Sequence, residues 1–171
     1  MTYIGIDPGS KGFVSVLREN GERKFYAIAD GDMLDLAHFI AEEVKFSAPY
    51  VHAIMEEVHA VFGSSAKATF SFGEINGYIK GMLVALGVPY TLIQPKLWQK
   101  EIWNNQDMVY TYKPGKDGQT RKVVDTKNTS YNAARRLFPE IDLRKTERCK
   151  NFDDNKIDSI LITECARRKN L

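Results

Sequence analysis

Acidic residues stand at the ends of apolar, strand-forming segments, and this placement constrains the chain more than any other feature of its sequence. The apolar run Tyr3–Ile6 ends at Asp7, and the run Tyr50–Met55 ends at Glu56. Neighbouring strands of an open sheet end at one rim, so Asp7 and Glu56 lie within side-chain reach if their strands are adjacent. A third group of acids opens the last apolar helical segment, and its members are Asp153, Asp154 and Asp158.

Apolar and turn-forming segments alternate along the chain and predict an α/β fold, with a mixed sheet flanked by helices in one domain, residues 1–171. Strands are predicted at Tyr3–Ile6, Phe13–Leu17, Lys24–Ala29, Tyr50–Met55 and Pro89–Ile93. Helices are predicted over 34–44, Ala66–Gly87, Asn128–Phe138 and Ile157–Arg168. The polar segment Asn104–Asp125 has no clear period, which predicts a flexible loop.

Charge is unevenly distributed along the chain. The whole sequence has 24 basic and 22 acidic residues, a net charge of +2. Lys96–Lys150 alone contains 13 basic and 7 acidic residues, a net of +6, so the remainder is net −4. A segment of this kind is suited to face a polyanion.

Other classes of protein fit the sequence poorly. Cys149 and Cys165 are too few for a disulfide scaffold or a zinc site, and no apolar run approaches the roughly 20 residues that cross a bilayer. The chain enters a strand-like run at Tyr3 without a charged leader or a signal-type segment. We therefore expect a reduced, soluble, cytoplasmic protein.

The acids of the last helix differ in their spacing. Asp154 and Asp158 are four residues apart and share a helix face, whereas Asp153 is five residues from Asp158 and is turned away from it. Structural roles compete with functional ones: Asp7 before Pro-Gly can be a turn former, and Asp153 or Asp154 can be an N-cap. Asp158 lies inside the helix among apolar residues, where an unpartnered carboxylate is costly if buried.

A cluster of carboxylates predicts a divalent metal site. Like charges held close raise their own pKa values unless cations neutralise them. Oxygen-only ligands favour Mg²⁺, with Mn²⁺ as a substitute, and two such ions about 3.5–4 Å apart can drive phosphodiester hydrolysis.

Glycines recur within the predicted helix Ala66–Gly87. Gly73, Gly77 and Gly81 fall nearly in register on one face, at a cost of about 1 kcal/mol of helix propensity each. We expect a close neighbour to compensate, either the core sheet or a second subunit.

Three motifs together resemble those of RuvC-like Holliday-junction resolvases. They are Ile4-Gly5-Ile6-Asp7-Pro8-Gly9-Ser10, Ile54-Met55-Glu56-Glu57-Val58 and the run from Asp154 to Ile162. Gln94–Lys100 and Lys127–Ser130 leading to Pro139 further resemble the phage-type branch. The resemblance implies an RNase H-like fold, a homodimer and two metal-dependent nicks placed symmetrically across a four-way DNA junction, leaving 5′-phosphate and 3′-hydroxyl ends.

The resemblance also implies roles for individual residues. It makes Asp7, Glu56 and Asp158 metal-binding carboxylates, and helical spacing favours Asp154 over Asp153 as the fourth. Lysines of the basic segment are candidate DNA contacts: Lys96, Lys100, Lys113, Lys116, Lys122 and Lys127. The segment after Glu56 implies further contacts at the junction centre, by His59 and Phe62.

Purely structural roles are an alternative explanation for these candidate DNA contacts. The lysines from Lys113 to Lys122 can equally belong to a solvated loop. The aromatic residues among the lysines of the basic segment can stack on unpaired bases at a junction: Trp98, Trp103, Tyr110 and Tyr112. The two tryptophans can instead be ordinary core or interface residues.

Rival functions share parts of the pattern. The opening Ile4–Gly12 also resembles the phosphate loop of sugar kinases and actin-like ATPases, but those enzymes place two such domains around a nucleotide, and 171 residues supply one. A non-cleaving DNA-binding protein of the same fold is a second rival. An RNase H-type or general branched-DNA nuclease is the third, because the acids specify hydrolysis without specifying substrate shape.

Overall fold

The computed structural model describes residues 1–58, 65–115 and 118–171, and it contains a five-stranded mixed sheet with helices on both faces. The strands of this sheet are β1 (Thr2–Asp7), β2 (Phe13–Leu17), β3 (Arg23–Ala27), β4 (Val51–Glu56) and β5 (Tyr90–Ile93). Their order across the sheet is β3-β2-β1-β4-β5, with β1–β2–β3 antiparallel and β1–β4–β5 parallel. The helices are α1 (Met33–Ser47), α2 (Ala66–Ala85), α3 (Pro95–Ile102), α4 (Thr126–Leu137) and α5 (Asp154–Lys169).

Two apolar clusters cover the two faces of the sheet. On one face Ile4 and Ile6 of β1 pack with residues of α1 and α2, among them Leu36 and Leu83. On the other face lies a second cluster, drawn from the sheet and from α3, α4 and α5: Tyr3, Ile54, Trp98, Ala133, Ile157, Ile160 and Leu161. Burial on both faces explains why the central strands read as continuous apolar runs in the sequence.

Helix α5 crosses β1 at very close range, and Gly5 makes this approach possible. A Cβ atom at Gly5 would overlap the Thr163 hydroxyl and the Ser159 carbonyl oxygen of α5. Thr163 is fully buried there and donates from Oγ1 to the Ser159 carbonyl oxygen at 2.7 Å. The glycine of the first motif therefore fixes how near α5 lies to the strand that ends in Asp7.

The predicted strands and helices are all present, with bounds shifted by a few residues. Strand β3 ends at Ala27 rather than Ala29, because Ile28–Asp30 forms a short 3₁₀ helix. Helix α1 begins where expected from its acids: Asp32 is the N-cap and forms a reciprocal capping box with Asp35. Helix α5 begins at Asp154, three residues before the predicted start at Ile157.

The prediction of a flexible loop over Asn104–Asp125 is wrong. Strands β6 (Tyr110–Pro114) and β7 (Thr120–Val124) pair antiparallel and form a separate two-stranded sheet. Tyrosine, Thr and Val favour strands in this segment, but the lysines and Pro114 among them obscure the alternation. We call Tyr110–Val124 the hairpin arm.

The glycine face of α2 does not pack against the sheet. A Cβ atom at Gly73, Gly77 or Gly81 would meet no described atom within 4 Å. On the same side of the helix, Phe70 and Val84 have exposed fractions of 74% and 68%. Of the two neighbours expected for this face, the core sheet is therefore excluded.

Among the helices in the described ranges, none combines the length and the apolar character needed to cross a lipid bilayer.

Candidate active site

Asp7 and Glu56 end neighbouring strands and point to the same face of the sheet. Strands β1 and β4 are parallel partners with Ile6 opposite Met55, so the next residues of both strands are Asp7 and Glu56. Side chains alternate along a strand, and Ile54 belongs to the cluster on the α5 side of the sheet. Glu56 is therefore on the α5 side, a choice between Glu56 and Glu57 that the sequence leaves open.

The first turns of α5 bring two more acids to this edge. Asp154 is the first residue of the helix and Asp158 lies one turn later on the same side. Asp153 is the N-cap, and its Oδ1 accepts from the backbone N–H groups of Asn155 and Lys156 at 3.1 Å each. We call Asp7, Glu56, Asp154 and Asp158 the carboxylate cluster; all four are half-buried.

Electrostatic coupling shows that these carboxylates are close to one another. Burial, followed by the charges of Asp158 and Glu56, raises the pKa of Asp7 well above its usual value. The pKa of Asp158 is raised to about 7, chiefly by burial and then by the charges of Glu56 and Asp154, against the lowering effect of a Ser130 hydrogen bond. Each of the two is held where a negative charge is disfavoured unless a cation is present.

Trp98 orients Glu56. The indole Nε1 of Trp98 donates to Glu56 Oε1 at 2.9 Å, and the rest of the Trp98 side chain is fully buried in the core. Burial raises the pKa of Glu56, and this hydrogen bond lowers it. Trp98 is thus a core residue whose single polar atom holds a cluster carboxylate, a role that sequence reasoning missed.

Helix α4 supplies a cation and a hydroxyl to the acids of α5. Lys127 Nζ forms an ion pair with Asp154 Oδ2, and three residues later on α4 Ser130 donates to Asp158. Spacing of three residues places Lys127 and Ser130 on one face of α4. Hydrogen bonding to Asp154, then its charge, raises the pKa of Lys127. Lys127 is therefore a cation held at the carboxylate cluster.

The donor set fits Mg²⁺ or Mn²⁺ in its chemistry, because the described cluster consists of four carboxylates and a cation would relieve the raised pKa values of Asp7 and Asp158. Within residues 1–58, 65–115 and 118–171, no three acidic, His or Cys side chains are already arranged as a formed metal site. Binding of an ion therefore requires these side chains to turn from their present partners, Lys127 in the case of Asp154.

The lysines predicted to contact DNA lie on several different elements of the structure. Lys96 and Lys100 are exposed on α3, which follows β5 directly. Lys113 and Lys122 are exposed on opposite strands of the hairpin arm. His59, Phe62 and Lys116 lie outside the described residues.

A cationic groove adjoins the cluster on another side of α5. Its volume is about 410 Å³, and Asp30, Asp153 and Asn155 form part of its wall. Four basic residues also line it: Lys11, Arg144, Lys145 and Lys156. Lys11 comes from the β1–β2 turn and the others from the segment around the start of α5, so only the fold brings them together.

Comparison with solved structures identifies the architecture. RuvC of T. thermophilus in complex with a Holliday junction substrate superposes with a TM-score of 0.63 at 12% identity, covering 99% of this chain and 94% of that one. The fold is that of RuvC, an RNase H-like fold. A second Thermus thermophilus RuvC structure has a TM-score of 0.54 at 14% identity, covering 99% of this chain and 97% of the RuvC chain. No protein-family model matches the chain, and no curated protein matches its sequence. The similarity to RuvC is therefore one of fold, with little conserved in sequence.

Proposed function

We propose that residues 1–171 act as one RuvC-like nuclease domain, a Mg²⁺-dependent endonuclease that resolves four-way DNA junctions by paired, symmetric nicks. The observation that carries this proposal is the carboxylate cluster at the carboxyl ends of β1 and β4. Four acids at one sheet edge, with the pKa values of Asp7, Glu56 and Asp158 raised by burial, are suited to bind divalent cations. The assignment to the phage-type branch and the cytoplasmic location remain predictions from the sequence.

In the proposed reaction, bound metal ions and protein side chains have different roles. When bound, two Mg²⁺ ions would activate a water molecule and stabilise the leaving oxygen of a phosphodiester. Asp7, Glu56, Asp154 and Asp158 would hold the metal, and the Trp98 hydrogen bond fixes the orientation of Glu56. The water oxygen bonds to phosphorus as the P–O3′ bond breaks. The attacking water gives up a proton to solvent, and the leaving 3′ oxygen takes up a proton. The products are a 5′-phosphate and a 3′-hydroxyl.

Lys127 has a separate part in this proposal. It is 68% exposed and reaches Asp154 from α4, so it neutralises the cluster while no metal is bound. Once Asp154 served as a metal ligand, the ammonium group of Lys127 would lose this partner. Lys127 would then lie beside the scissile position, free to bind a phosphate oxygen.

Two cationic surfaces offer a path for the DNA backbone. Lys127 lies at the first turn of α5, where it pairs with Asp154. Lys96 and Lys100 are exposed on α3, the helix whose Trp98 contacts Glu56. Residues 155 and 156 of α5 are turned about 100° and 200° away from Asp154 and line the cationic groove on another side. A strand that passes over the cluster would meet phosphate-binding side chains before and after the scissile phosphate, including Lys11 and Lys145.

Paired nicks need two active sites, which makes a homodimer part of the proposal. The exposed glycine face of α2 is the proposed contact surface. Gly73, Gly77 and Gly81 leave room for a second helix to approach, and Phe70 and Val84 continue the face as exposed apolar side chains.

A cleavage assay tests the function directly. Labelled four-way junction, flap, linear duplex and RNA–DNA hybrid are each incubated with Mg²⁺, Mn²⁺ or EDTA. We expect symmetric nicks in the junction, lost with EDTA and lost in Asp7→Asn, Glu56→Gln and Asp158→Asn, which should still bind the junction. Preferential cleavage of flap or hybrid would move the assignment to a general branched-DNA or RNase H-type nuclease. Tight binding without nicking would indicate a non-cleaving DNA-binding protein.

A further inference from the structure

The pairing of the hairpin arm sorts its side chains onto two faces. Residues directly opposite in an antiparallel pair share a face, and here Tyr112 is opposite Lys122 while Lys113 is opposite Arg121. Tyr110 lies two residues from Tyr112 and so on the same face as it. One face therefore carries Tyr110, Tyr112 and Lys122 together, and the other carries two cations.

The tyrosine face is open to solvent. Tyr112 is 68% exposed and Tyr110 is 46% exposed. Lys122 Nζ lies 3.9 Å from the centroid of the Tyr110 ring, so a cation is held against the aromatic surface. Exposed aromatic rings interleaved with cations are the side chains that proteins use to bind unpaired nucleotides, with stacking on bases and neutralisation of phosphates.

The arm is attached to the helix that reaches the carboxylate cluster. The backbone N–H of Asp125 donates to the Val109 carbonyl oxygen at 2.9 Å, and the Val109 N–H donates to Thr129 Oγ1 at 3.0 Å. Asp125 is also the N-cap of α4 and accepts from the Asn128 N–H. Lys127, two residues after this cap, pairs with Asp154. The base of the arm is thus bonded to the first turn of α4, next to the proposed scissile position.

We propose that the tyrosine face of the hairpin arm binds unpaired nucleotides at the branch point of the DNA. Tyr112 stacks on a base, and Lys122 beside it neutralises the adjoining phosphate. The inference rests on the proposed function, and it adds a reason for preferring branched over linear DNA. A perfectly paired duplex offers the arm phosphates but no free base face, so it engages the cations alone.

Base stacking can be measured without cleavage. A four-way junction with 2-aminopurine at each branch-point position is titrated with protein in Ca²⁺ instead of Mg²⁺, and fluorescence and affinity are followed together. We expect quenching at one or more positions by the wild type and by Tyr112→Phe, which keeps the ring. Tyr112→Ala should lose the quenching and bind the junction about 5- to 100-fold more weakly, with little change for linear duplex. Tyr50→Ala, at a tyrosine that is 63% exposed beside the opposite end of β4, is the matched control.

The role of Lys122 has its own readout. Lys122→Gln should lower the slope of log affinity against log salt by about one for the junction. Lys45→Gln, at an exposed lysine of the last turn of α1, should leave the slope unchanged.

The possible failures are distinguishable. If Tyr112→Ala retains the quenching and the affinity, or weakens junction and duplex equally, the tyrosine face does not bind unpaired bases and this inference is wrong. A wild-type protein that still nicks junctions in the same preparation would show that the proposed function stands without it. A wild-type protein that binds no four-way junction would overturn both.

Discussion

The indole nitrogen of Trp98 lies 2.9 Å from Oε1 of Glu56 and donates a hydrogen bond to it. The tryptophan is fully buried among core side chains from α4 and α5, so the position of its N–H is set by packing. Trp103 contacts it edge to face, with ring centroids 6.1 Å apart. A metal-binding carboxylate is therefore proposed to be positioned by a residue of the hydrophobic core.

Trp98→Phe should slow cleavage without preventing DNA binding. The phenyl ring keeps most of the packing but removes the N–H, and loss of such an orienting partner typically costs about 10- to 100-fold in metal affinity or activity. We expect a single-turnover rate at least about tenfold lower and a higher Mg²⁺ requirement, with junction affinity in Ca²⁺ unchanged. Trp103→Phe is the control, because its buried Nε1 has no hydrogen-bond partner in the described chain. Equal effects of the two substitutions would contradict an orienting role.

Asp153→Asn and Asp154→Asn should differ sharply in activity. Asn caps a helix about as well as Asp, so Asp153→Asn preserves the bonds to the Asn155 and Lys156 N–H groups and should retain near-normal cleavage. Asp154→Asn removes a charge from the carboxylate cluster and should reduce cleavage by orders of magnitude at fixed Mg²⁺. The measurement is the cleavage rate as a function of Mg²⁺ concentration. Inactive Asp153→Asn beside active Asp154→Asn would exchange the two assignments.

Stability of the metal-free protein should fall as pH rises from about 4 to 7. The pKa of Asp158 is about 7 in the folded protein against 3.8 ordinarily, so between these values the unfolded chain ionises while the folded chain keeps its proton. The folded state therefore loses up to a few kcal/mol over this interval, and the loss is complete above pH 7.

Thermal unfolding measures this effect. Asp158→Asn should flatten the pH dependence and raise Tm at pH 8 by several degrees. Mg²⁺ should also raise Tm of the wild type more at pH 8 than at pH 5. Asp142→Asn is the control. The hydrogen bond from Arg144 lowers the pKa of Asp142, so removing the Asp142 charge should not raise the stability at high pH. A wild-type Tm that rises steadily from pH 5 to 8 would contradict the proposal that ionisation of Asp158 destabilises the folded, metal-free protein.

Gly77→Gln should separate helix stability from dimer formation. Nothing in the described chain lies within 4 Å of a Cβ at Gly77, and Gln is a better helix former than Gly by up to about 1 kcal/mol. The monomer should thus be at least as stable as the wild type, whereas a second copy packed against this face would be displaced. Light scattering should show a dimer for the wild type and a monomer for the variant. Gly21→Gln, in an exposed turn, is unsuitable as a control because the backbone φ of Gly21 is +86°. Ser71→Gln serves that purpose, because Ser71 is exposed on the same helix but is turned about 120° away from Gly77. A Gly77→Gln variant that stays dimeric would exclude this surface.

Local patterns in the sequence are sufficient for much of the fold. The runs that end at Asp7 and Glu56 predict strands because they are continuous and apolar, and the structure confirms the mixed α/β sheet. The four-residue spacing of Asp154 and Asp158 likewise follows from helix geometry alone. The hairpin arm was missed because its polar, two-sided strands have no buried face to impose a period.

The details of the site depend on contacts between residues far apart in the chain. Alternation along β4 puts Glu56 and Glu57 on opposite faces, but only packing of Ile54 against the α5 side shows which of them faces the cluster. The Trp98–Glu56 bond joins residues 42 positions apart, and the Lys127–Asp154 pair joins residues 27 apart. Periodicity reports the relative orientation of neighbours in sequence, whereas the meeting of distant side chains is set by how the sheet and helices pack.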